Sequence, residues 1–391
     1  MRHLKKLIFA LPLFFLYFMM AHQNKINPFE GPRSQQAQQI LDDLYTQIKS
    51  QKHSYTKGTL DKFEAIVNDL VTKNSVPTDC FTRIDFTSGS FSAPALNNAY
   101  KDRLNILLDF LNTNVSAHLN KEKSFSFYSA LGDCGALPKN LLAQMDIATV
   151  PILMIDIDKK YYKKDLKSIF LVPDFYLIRS KYSKSIDRIK KETKKNPFPS
   201  RKDIAIWRGS QTGGSYDMTE KDTIPRYRLV DFSLKNPDYV DARFVSHTCQ
   251  VPDSDSGRAY TKFMEETFGT NPAKNFIRFE NQATYKYIVS LDGNVSAWER
   301  VCFGMHMGTI LLYQTNFVQF FTPYIKDGVH YIGINPDMSD IRQKIDSLRN
   351  DPEKCKTVMQ NAQKFASDVL TPEFFVVYYA NVLKAISDSF E

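Results

Sequence analysis

The sequence has few of the residues that build metal or redox sites. It contains only 5 cysteines and 7 histidines among 391 residues, with no CxxC pair and no spacing that fits a zinc site. Because the number of cysteines is odd, at least one thiol is left unpaired. One or two disulfides are compatible with this sequence, but none is required, and no metal site is expected.

Motifs for nucleic acid are also missing. The formal net charge of +8 and the pI near 9.0 favour anionic partners in general. Much of the positive charge lies in residues 181–202, which carry few interleaved aromatic residues and no nucleic-acid-binding motif. We therefore predict a solvated basic linker helix there and no nucleic-acid partner. A Walker loop is absent as well, because no Gly-Lys-Ser/Thr follows the glycine-rich segment described below.

The N-terminus has a basic flank before an apolar run. Arg2, Lys5 and Lys6 precede residues 7–21, which are almost entirely hydrophobic. This pattern is typical of a secretory signal or a signal-anchor, although fifteen residues are few for a membrane span. The small-residue pattern of a cleavage site is poor, so we expect an uncleaved anchor. A cleaved signal and a buried helix remain alternatives.

Beyond this segment, the pattern predicts an α/β protein of two domains. Apolar residues at helical spacing predict helices over residues 35–49, 60–73 and 100–119, with β-like runs at 125–130 and 150–157. Strand and helix patterns alternate after residue 202. The last part of the chain, 337–390, is predicted to form three helices. Such alternation predicts a parallel sheet with helices on both faces.

Two loops in the second half are suited to phosphate. The predicted strand 203–207 runs into a segment with Arg208, Gly209, Ser210 and Thr212, where glycines allow close approach of backbone amides. A second predicted strand, 285–290, ends in an Asp-Gly-Asn turn that precedes Ser296 and Arg300. A helix N-terminus beside an arginine is a favourable seat for a diphosphate. Each loop alone is equally consistent with an ordinary turn.

Carboxylates follow two strands in the first half. Asp133 lies between glycines after the run 125–130, which suits a general base that faces a cleft, although a turn aspartate is the commoner role. Asp156 and Asp158 form a DxD pattern after the next strand. In an alternative reading, these two carboxylates bind manganese in a GT-A glycosyltransferase.

Together these stretches resemble glycosyltransferase family 90, which includes capsule-associated proteins, protein O-glucosyltransferases and lipopolysaccharide-modifying enzymes. The resemblance covers approximately residues 125–379. Its markers, none specific alone, follow one another in order: Gly132-Asp133, Pro173-Asp174-Phe175, Trp207-Arg208-Gly209-Ser210, Val240-Asp241-Ala242-Arg243-Phe244, Tyr285-Lys286-Tyr287, Asp292-Gly293, Arg300, Gly308-Thr309, Phe320-Phe321 and His330-Tyr331.

The resemblance implies a GT-B fold, in which two Rossmann-like domains face a cleft. We accordingly expect a signal-anchor or signal peptide (1–22), a stem and helix (23–58), an N-terminal acceptor domain (59–180), the basic linker (181–202), a C-terminal UDP-sugar-binding domain (203–370) and a helix that returns to the first domain (371–391). It also implies inverting transfer of a sugar, glucose or xylose in particular, without a metal or other cofactor. The acceptor would be a hydroxyl of a glycan, a lipopolysaccharide or a protein.

Site roles follow from the same resemblance. Asp133 would be the catalytic base, and the donor would be bound by Arg208, Gly209, Ser210, Thr212, Asp241, Phe244, Lys286, Ser296 and Arg300. The chain departs from the protein O-glucosyltransferases at Gln211, where those enzymes carry an arginine. This leaves room for a non-catalytic nucleotide- or glycan-binding membrane protein as a further alternative. With an N-terminal anchor, the chain would be a single-pass membrane protein, facing the Golgi or ER lumen in a eukaryote and held in the inner membrane of a bacterium.

Overall fold

The computed structural model describes residues 33–50, 56–73, 80–133, 150–162, 168–246 and 250–390. The apolar run 7–21, on which the expected anchor rests, lies outside these residues. No single helix within the described ranges is long and apolar enough to cross a membrane, whereas one bent pair, Pro352–Val369 with Pro372–Asp388, passes by length and composition only.

Helices and strands alternate along most of the described chain. The helices are α1 (Gln35–Ser50), α2 (Lys57–Thr72), α3 (Lys101–Phe110), α4 (Phe175–Ile178), α5 (Lys181–Lys195), α6 (Pro225–Lys235), α7 (Asp255–Phe268), α8 (Glu299–His306), α9 (Ile341–Arg349), α10 (Pro352–Val369) and α11 (Pro372–Asp388). The strands are β1 (Phe81–Thr87), β2 (Ser90–Ser92), β3 (Phe125–Ala130), β4 (Ile152–Met154), β5 (Ile157–Asp158), β6 (Ile169–Leu171), β7 (Lys202–Ser210), β8 (Val240–Ser246), β9 (Tyr285–Leu291), β10 (Ile310–Gln314), β11 (Phe317–Val318) and β12 (Ile332–Gly333).

The first unit is built on a mixed sheet of order β2-β1-β3-β4-β6. Strand β1 is antiparallel to β2 and β3, and only β3, β4 and β6 run parallel to one another. The sequence analysis did not predict β1, although its apolar residues alternate with polar ones as expected for a half-buried strand. The first unit is therefore less regular than the Rossmann-like domain that we expected.

The second unit contains the predicted parallel sheet, of order β12-β10-β9-β7-β8. Every neighbouring pair in it is parallel. Strand β7 is longer than expected, because Arg208, Gly209 and Ser210 belong to the strand and not to the loop after it. They pair with β8 up to a register shift between Gly209 and Ser210. The phosphate-compatible loop consequently begins at Gln211.

The basic segment 181–202 is mostly the helix α5, which connects the first unit to the second and has one buried face. Tyr182, Ile186 and Ile189 are buried on one face, while the lysines occupy the other. The Tyr182 hydroxyl donates to the carbonyl of Leu370 over 3.0 Å. Apolar residues at helical spacing explain this packing, since burying such a stripe is the main stabilising term for a surface helix. The sequence predicted a linker helix from its charge, without this buried stripe.

Two contacts join the second unit back to the first. The last helix, α11, packs against the first unit, where Tyr378 and Tyr379 donate to the carbonyls of Leu171 and Pro173, each over 2.9 Å. Strand β5 of the first unit pairs antiparallel with β11, which follows the second unit's β10. The three predicted C-terminal helices are confirmed as α9, α10 and α11.

Candidate active site

Three strand ends meet between the two units. Strand β3 ends before Gly132 and Asp133, strand β7 before residues 211–214, and strand β9 before Asp292 and Gly293. Carboxyl ends of parallel strands are the usual place for ligand binding in α/β sheets. The loop after β3 packs closely against Cys80, which is disulfide-bonded. A Cβ atom on Gly132 would lie 2.6 Å from Sγ of Cys80.

Asp133 of the first unit faces the second. Its Oδ2 accepts a hydrogen bond from Asn294 Nδ2 over 3.3 Å, and its Oδ1 lies 3.5 Å from Nη1 of Arg103. The side chain is 35% exposed, so the carboxylate remains accessible. A reactive acid needs both features, because orientation by neighbours fixes its position while exposure admits a substrate hydroxyl.

Asn294 joins the two phosphate-compatible loops of the second unit. Its Oδ1 accepts from the backbone amide of Gly213 over 3.1 Å and from Gln250 Nε2 over 2.8 Å. Gln250 Oε1 accepts from the same Gly213 amide over 2.9 Å. Gly213 has φ +95°, and a Cβ there would lie 2.9 Å from the carbonyl oxygen of Gly293, so a side chain at this position would strain the junction.

Arg226 holds the same two loops together. Its guanidinium donates to the carbonyls of Asp292 and Ser210, over 2.7 and 2.9 Å, and to the hydroxyl of Thr212. A Cβ on Gly293 would lie 2.7 Å from Arg226 Nη2. The sequence analysis missed this residue. One available signal was its position at the start of α6. The helix dipole is positive at its N-terminus and disfavours a cation there, so an arginine at that position suggests a separate role.

Arg300 is the second cation of the site. It donates from Nη2 to the carbonyl of Arg208 over 2.6 Å, whereas its Nη1 is buried without a hydrogen-bond partner. Burial and the neighbouring Arg226 lower the pKa of Arg300 to about 9. The guanidinium groups of Arg226 and Arg300 both lie near the Trp207 ring, at 5.8 and 5.9 Å from its centre. Burial thus makes the charge of Arg300 costly, and Arg226 adds a second positive charge beside it.

Ser296 links the units through a buried carboxylate. Asp156, which is fully buried, accepts from the backbone amide and hydroxyl of Ser296 with its Oδ2, and its Oδ1 has no partner. Burial raises the pKa of Asp156 to about 6 despite these two hydrogen bonds. Because the Ser296 hydroxyl is engaged by Asp156, it is oriented toward the first unit.

The DxD carboxylates do not converge. Asp158 lies in β5 and binds the backbone amide and ammonium of Lys160, over 2.9 and 3.0 Å, while Asp156 points to Ser296. Among the residues that the structure describes, no group of three or more histidine, cysteine, aspartate or glutamate side chains is arranged to hold a metal ion.

Arg208 is engaged inside the second unit. It forms a two-pronged ion pair with Asp241, at 2.9 and 3.0 Å, and Tyr285 also donates to that carboxylate. Only its carbonyl reaches the site, through Arg300. Phe244 is buried against Trp207, with ring centres 5.7 Å apart. The guanidinium of Arg208, Asp241 and Phe244, three of the features assigned to the donor, thus belong to the packing of this unit.

Gln211, at the departure from the O-glucosyltransferases, also points inward. The side chain is fully buried, and its Nε2 donates to the hydroxyl of Tyr260 over 2.9 Å. The adjacent Gly209 lies under a ring, since a Cβ there would lie 2.4 Å from Trp207. Two residues of this segment therefore contact the site through Arg226: Ser210 with its carbonyl and Thr212 with its hydroxyl.

Lys286 lies at the opposite edge of the sheet. Its ammonium binds Asp203 Oδ2 over 2.7 Å, at the amino-terminal ends of β9 and β7. Six residues along the strand separate it from Asp292, or about 20 Å at 3.3 Å per residue. Lys286 therefore lies far from the other predicted donor residues. It stands at the start of β9, whereas they follow the end of this strand.

Trp298 completes the cleft on the side of the first unit. It precedes α8 with φ +38°, a left-handed conformation that costs a bulky residue about 1–3 kcal/mol. Its ring packs on Tyr176, with centres 5.0 Å apart, and under the guanidinium of Arg103, at 4.6 Å. Since Arg103 also approaches Asp133, this strained residue supports the carboxylate. No sequence pattern reveals a positive φ at a tryptophan.

The chain belongs to glycosyl transferase family 90, whose model matches residues 177–390. Protein O-glucosyltransferase 1 of Rattus norvegicus is 25% identical over 192 residues, which cover 49% of this chain and 43% of that protein. Uncharacterized protein 179R of Invertebrate iridescent virus 6 is 34% identical over 119 residues, or 28% of this chain and 10% of that one. The matched segments thus span less than half the length of these relatives.

Solved structures show a weaker likeness. Anabaena HepE in complex with UDP and glucose matches with a TM-score of 0.37 and 12% identity, over 63% of this chain and 67% of that one. A glycosyltransferase from Rickettsia africae matches with a TM-score of 0.35 and 12% identity, over 64% and 68%. Likeness at this level is too low to support an inference about this chain.

Proposed function

We propose that this chain is an inverting glycosyltransferase that moves a sugar, glucose or xylose in particular, from a UDP-sugar to a hydroxyl of a glycan, a lipopolysaccharide or a protein. Membership of the family supports the activity, and the rat relative's name, protein O-glucosyltransferase 1, supports a hexose donor. Two α/β units whose strand ends meet at Asp133 and Asn294 are consistent with a GT-B arrangement.

The observation that carries this proposal is the placement of Asp133 opposite the second unit's loops. Its carboxylate reaches Asn294, which in turn holds the amide of Gly213. Two other carboxylates of the cleft are poorer candidates for the base. Asp156 is fully buried and Asp292 accepts from the Asn316 amide, whereas Asp133 is 35% exposed.

In the proposed reaction, Asp133 removes the proton of the acceptor hydroxyl as its oxygen bonds to the anomeric carbon. The bond from that carbon to the UDP oxygen breaks, and the departing diphosphate takes the electron pair. Arg226 and Arg300 stabilise the negative charge that develops there. A base on one unit and cations on the other hold the three reacting atoms in line, which accounts for inversion.

The proposed mechanism uses no metal. Support comes from the cations themselves, since Nη1 of Arg300 is a buried donor without a partner, and from the divergent partners of Asp156 and Asp158. The alternative of a manganese-dependent enzyme requires both aspartates at one ion. Loss of transfer in EDTA, restored by manganese, would favour that alternative.

Asp133→Asn tests the proposed base. We expect transfer to fall by about a hundredfold to ten-thousandfold, because an amide cannot accept the proton, while UDP binds as before. Product formation from a panel of UDP-sugars, and UDP calorimetry, measure the two effects. Asp158→Asn is the matched control, since its carboxylate binds Lys160 outside the cleft.

A near-native rate in Asp133→Asn would remove Asp133 from the mechanism. UDP binding without transfer by the wild-type chain, across a broad set of acceptors, would instead support the non-catalytic alternative.

We also propose that the N-terminal segment anchors the chain in a membrane, facing the lumen of the ER or Golgi in a eukaryote or held in the inner membrane of a bacterium. The support is the basic flank before the apolar residues 7–21. Extraction of membranes at alkaline pH tests it: the full chain should stay in the pellet, and a variant with two aspartates within that run should be released.

A further inference from the structure

A second cavity lies away from the strand ends that form the candidate site. Its volume is about 920 Å³, and it lies between helix α1, the edge strand β6, helix α11 and the segment between β11 and β12. None of the residues assigned to the candidate site lines it. Cavities of roughly 300–1,000 Å³ are the size of small-molecule sites, and this one is at the upper end.

Side-chain amides dominate the polar part of its lining. They are supplied by Gln35, Gln36, Gln39, Gln47, Gln319 and Asn361. An amide both donates and accepts hydrogen bonds, and a sugar hydroxyl does the same, so the two groups are complementary. Full charges are few and of both signs, with Asp43 opposed by Lys326.

Aromatic rings form much of the remaining wall. Tyr162, Phe320, Tyr324 and Tyr378 line the cavity together with the apolar Ile169. Flat apolar rings beside hydrogen-bonding groups match a sugar ring, which has C–H faces and hydroxyl edges. A purely apolar ligand would leave the amides unpaired, which is costly.

Two of these amides have unmet hydrogen-bonding capacity. Gln319 is 2% exposed, and its Oε1 has no hydrogen-bond partner. Gln36 Oε1 is likewise buried without a partner. A buried acceptor without a donor costs about 1–3 kcal/mol. Both residues line the cavity, so a turn of either side chain toward it would present this oxygen to a ligand that donates hydrogen bonds.

We propose that this cavity binds a short neutral oligosaccharide, separately from the candidate active site. A nucleotide diphosphate is disfavoured, because among the described residues that line the cavity there is no arginine and Asp43 opposes the lysine. On binding, the side chains of Gln319 and Gln36 turn toward the cavity and accept from hydroxyls of the oligosaccharide, while its rings lie against the aromatic wall. This site does not depend on the proposed transfer reaction.

The test is calorimetry of the full chain with maltotriose, cellotriose and xylotriose, alongside UDP. At least one trisaccharide should bind the wild type. Gln319→Leu and, separately, Gln36→Leu should weaken that binding by about tenfold, the effect of one lost buried hydrogen bond. Gln38→Leu is the matched control on the same helix, since Gln38 is exposed and bonds to Asp42; it should change binding less than twofold.

UDP affinity should be equal in all four proteins, which shows that each is folded and separates this cavity from the donor site. The proposal is overturned if no trisaccharide binds. It is equally overturned if both Gln319→Leu and Gln36→Leu bind the trisaccharide like the wild type, or if UDP competes with it. Should transfer activity be absent while this binding persists, only the proposed reaction fails.

Discussion

The proposed base lies on one wall of the cleft and the proposed cations lie on the other, and burial acts on both walls. The first unit contributes Asp133 and Asp156, and the pKa of Asp156 is raised to about 6 by burial. The second unit contributes Arg226 and Arg300, and burial lowers the pKa of Arg300 to about 9. Each wall thus contains a buried group whose charged form would be more stable in water. Such perturbed groups of opposite sign, held on separate units, are typical of a site arranged for a reaction rather than for stability.

A comparison of two arginines within the second unit sharpens this point. Arg208 is paired with the carboxylate of Asp241, and its charge is compensated. Arg300 donates to a carbonyl and leaves Nη1 buried without a partner. Arg208 is thus fixed by its ion pair, whereas Arg300 keeps a donor group without a hydrogen-bond partner. The sequence alone assigned both to the donor, because each follows or precedes a glycine-rich turn.

Arg226→Ala should have the largest effect on the cationic wall. It removes a guanidinium and also releases the loops after β7 and β9, which Arg226 holds through the carbonyls of Ser210 and Asp292. We expect transfer to fall by about a hundredfold to a thousandfold, with weaker UDP binding. Arg228→Ala is the matched control, because that side chain donates to the carbonyl of Asp222. Equal losses in both variants would mean that the effect is structural.

Asp174→Asn tests how burial affects another carboxyl of the first unit. The carboxyl is fully buried, which raises its pKa to about 8, and its Oδ1 caps α4 by accepting from the amides of Tyr176 and Leu177. The folded chain keeps this proton between about pH 4 and 8, whereas the unfolded chain releases it. This carboxyl therefore lowers the stability of the wild type as pH rises through that window.

Asparagine preserves the cap and cannot titrate, so the variant should gain about 1–3 kcal/mol relative to the wild type between pH 5 and pH 8. Urea unfolding of both proteins at the two pH values measures the difference. The same change in free energy of unfolding in both proteins would contradict the raised pKa.

Lys286→Ala should have the smallest effect on the site. The ammonium binds Asp203 at the far edge of the sheet, where Tyr287 also donates to that carboxylate. We expect UDP affinity within twofold of the wild type and a stability loss of about 1 kcal/mol or less, as for other partly exposed ion pairs. A large loss of UDP affinity would restore Lys286 to the donor site.

Much of the fold could be predicted because the spacing of apolar residues along the chain shows which face of a helix or strand is buried. The parallel sheet of the second unit and the three C-terminal helices follow from apolar patterns that only one kind of element satisfies. The β1–β2 hairpin of the first unit was missed, since an amphipathic strand such as Phe81–Thr87 gives a weak signal. The helix expected in residues 181–202 is present as α5, but its charge density hid the buried stripe.

The site could be predicted only as far as strand ends reveal it. Asp133 and Arg300 follow or approach a turn after an apolar run, and the structure brings both to the cleft. Side-chain direction could not be predicted. The structure places Lys286 at the other end of β9 and pairs the guanidinium of Arg208 with Asp241, and their donor roles stay predictions. Arg226 was missed because its role depends on two loops that are distant in sequence.

The most direct test of the proposed cleft is UDP calorimetry in EDTA, with the wild type and Arg300→Ala. The account predicts that EDTA leaves the affinity of the wild type unchanged. Arg300→Ala should weaken UDP binding by about tenfold to a hundredfold, the loss of a charge-assisted hydrogen bond. Binding that requires manganese and disappears in Asp156→Ala, while Arg300→Ala binds normally, would contradict it.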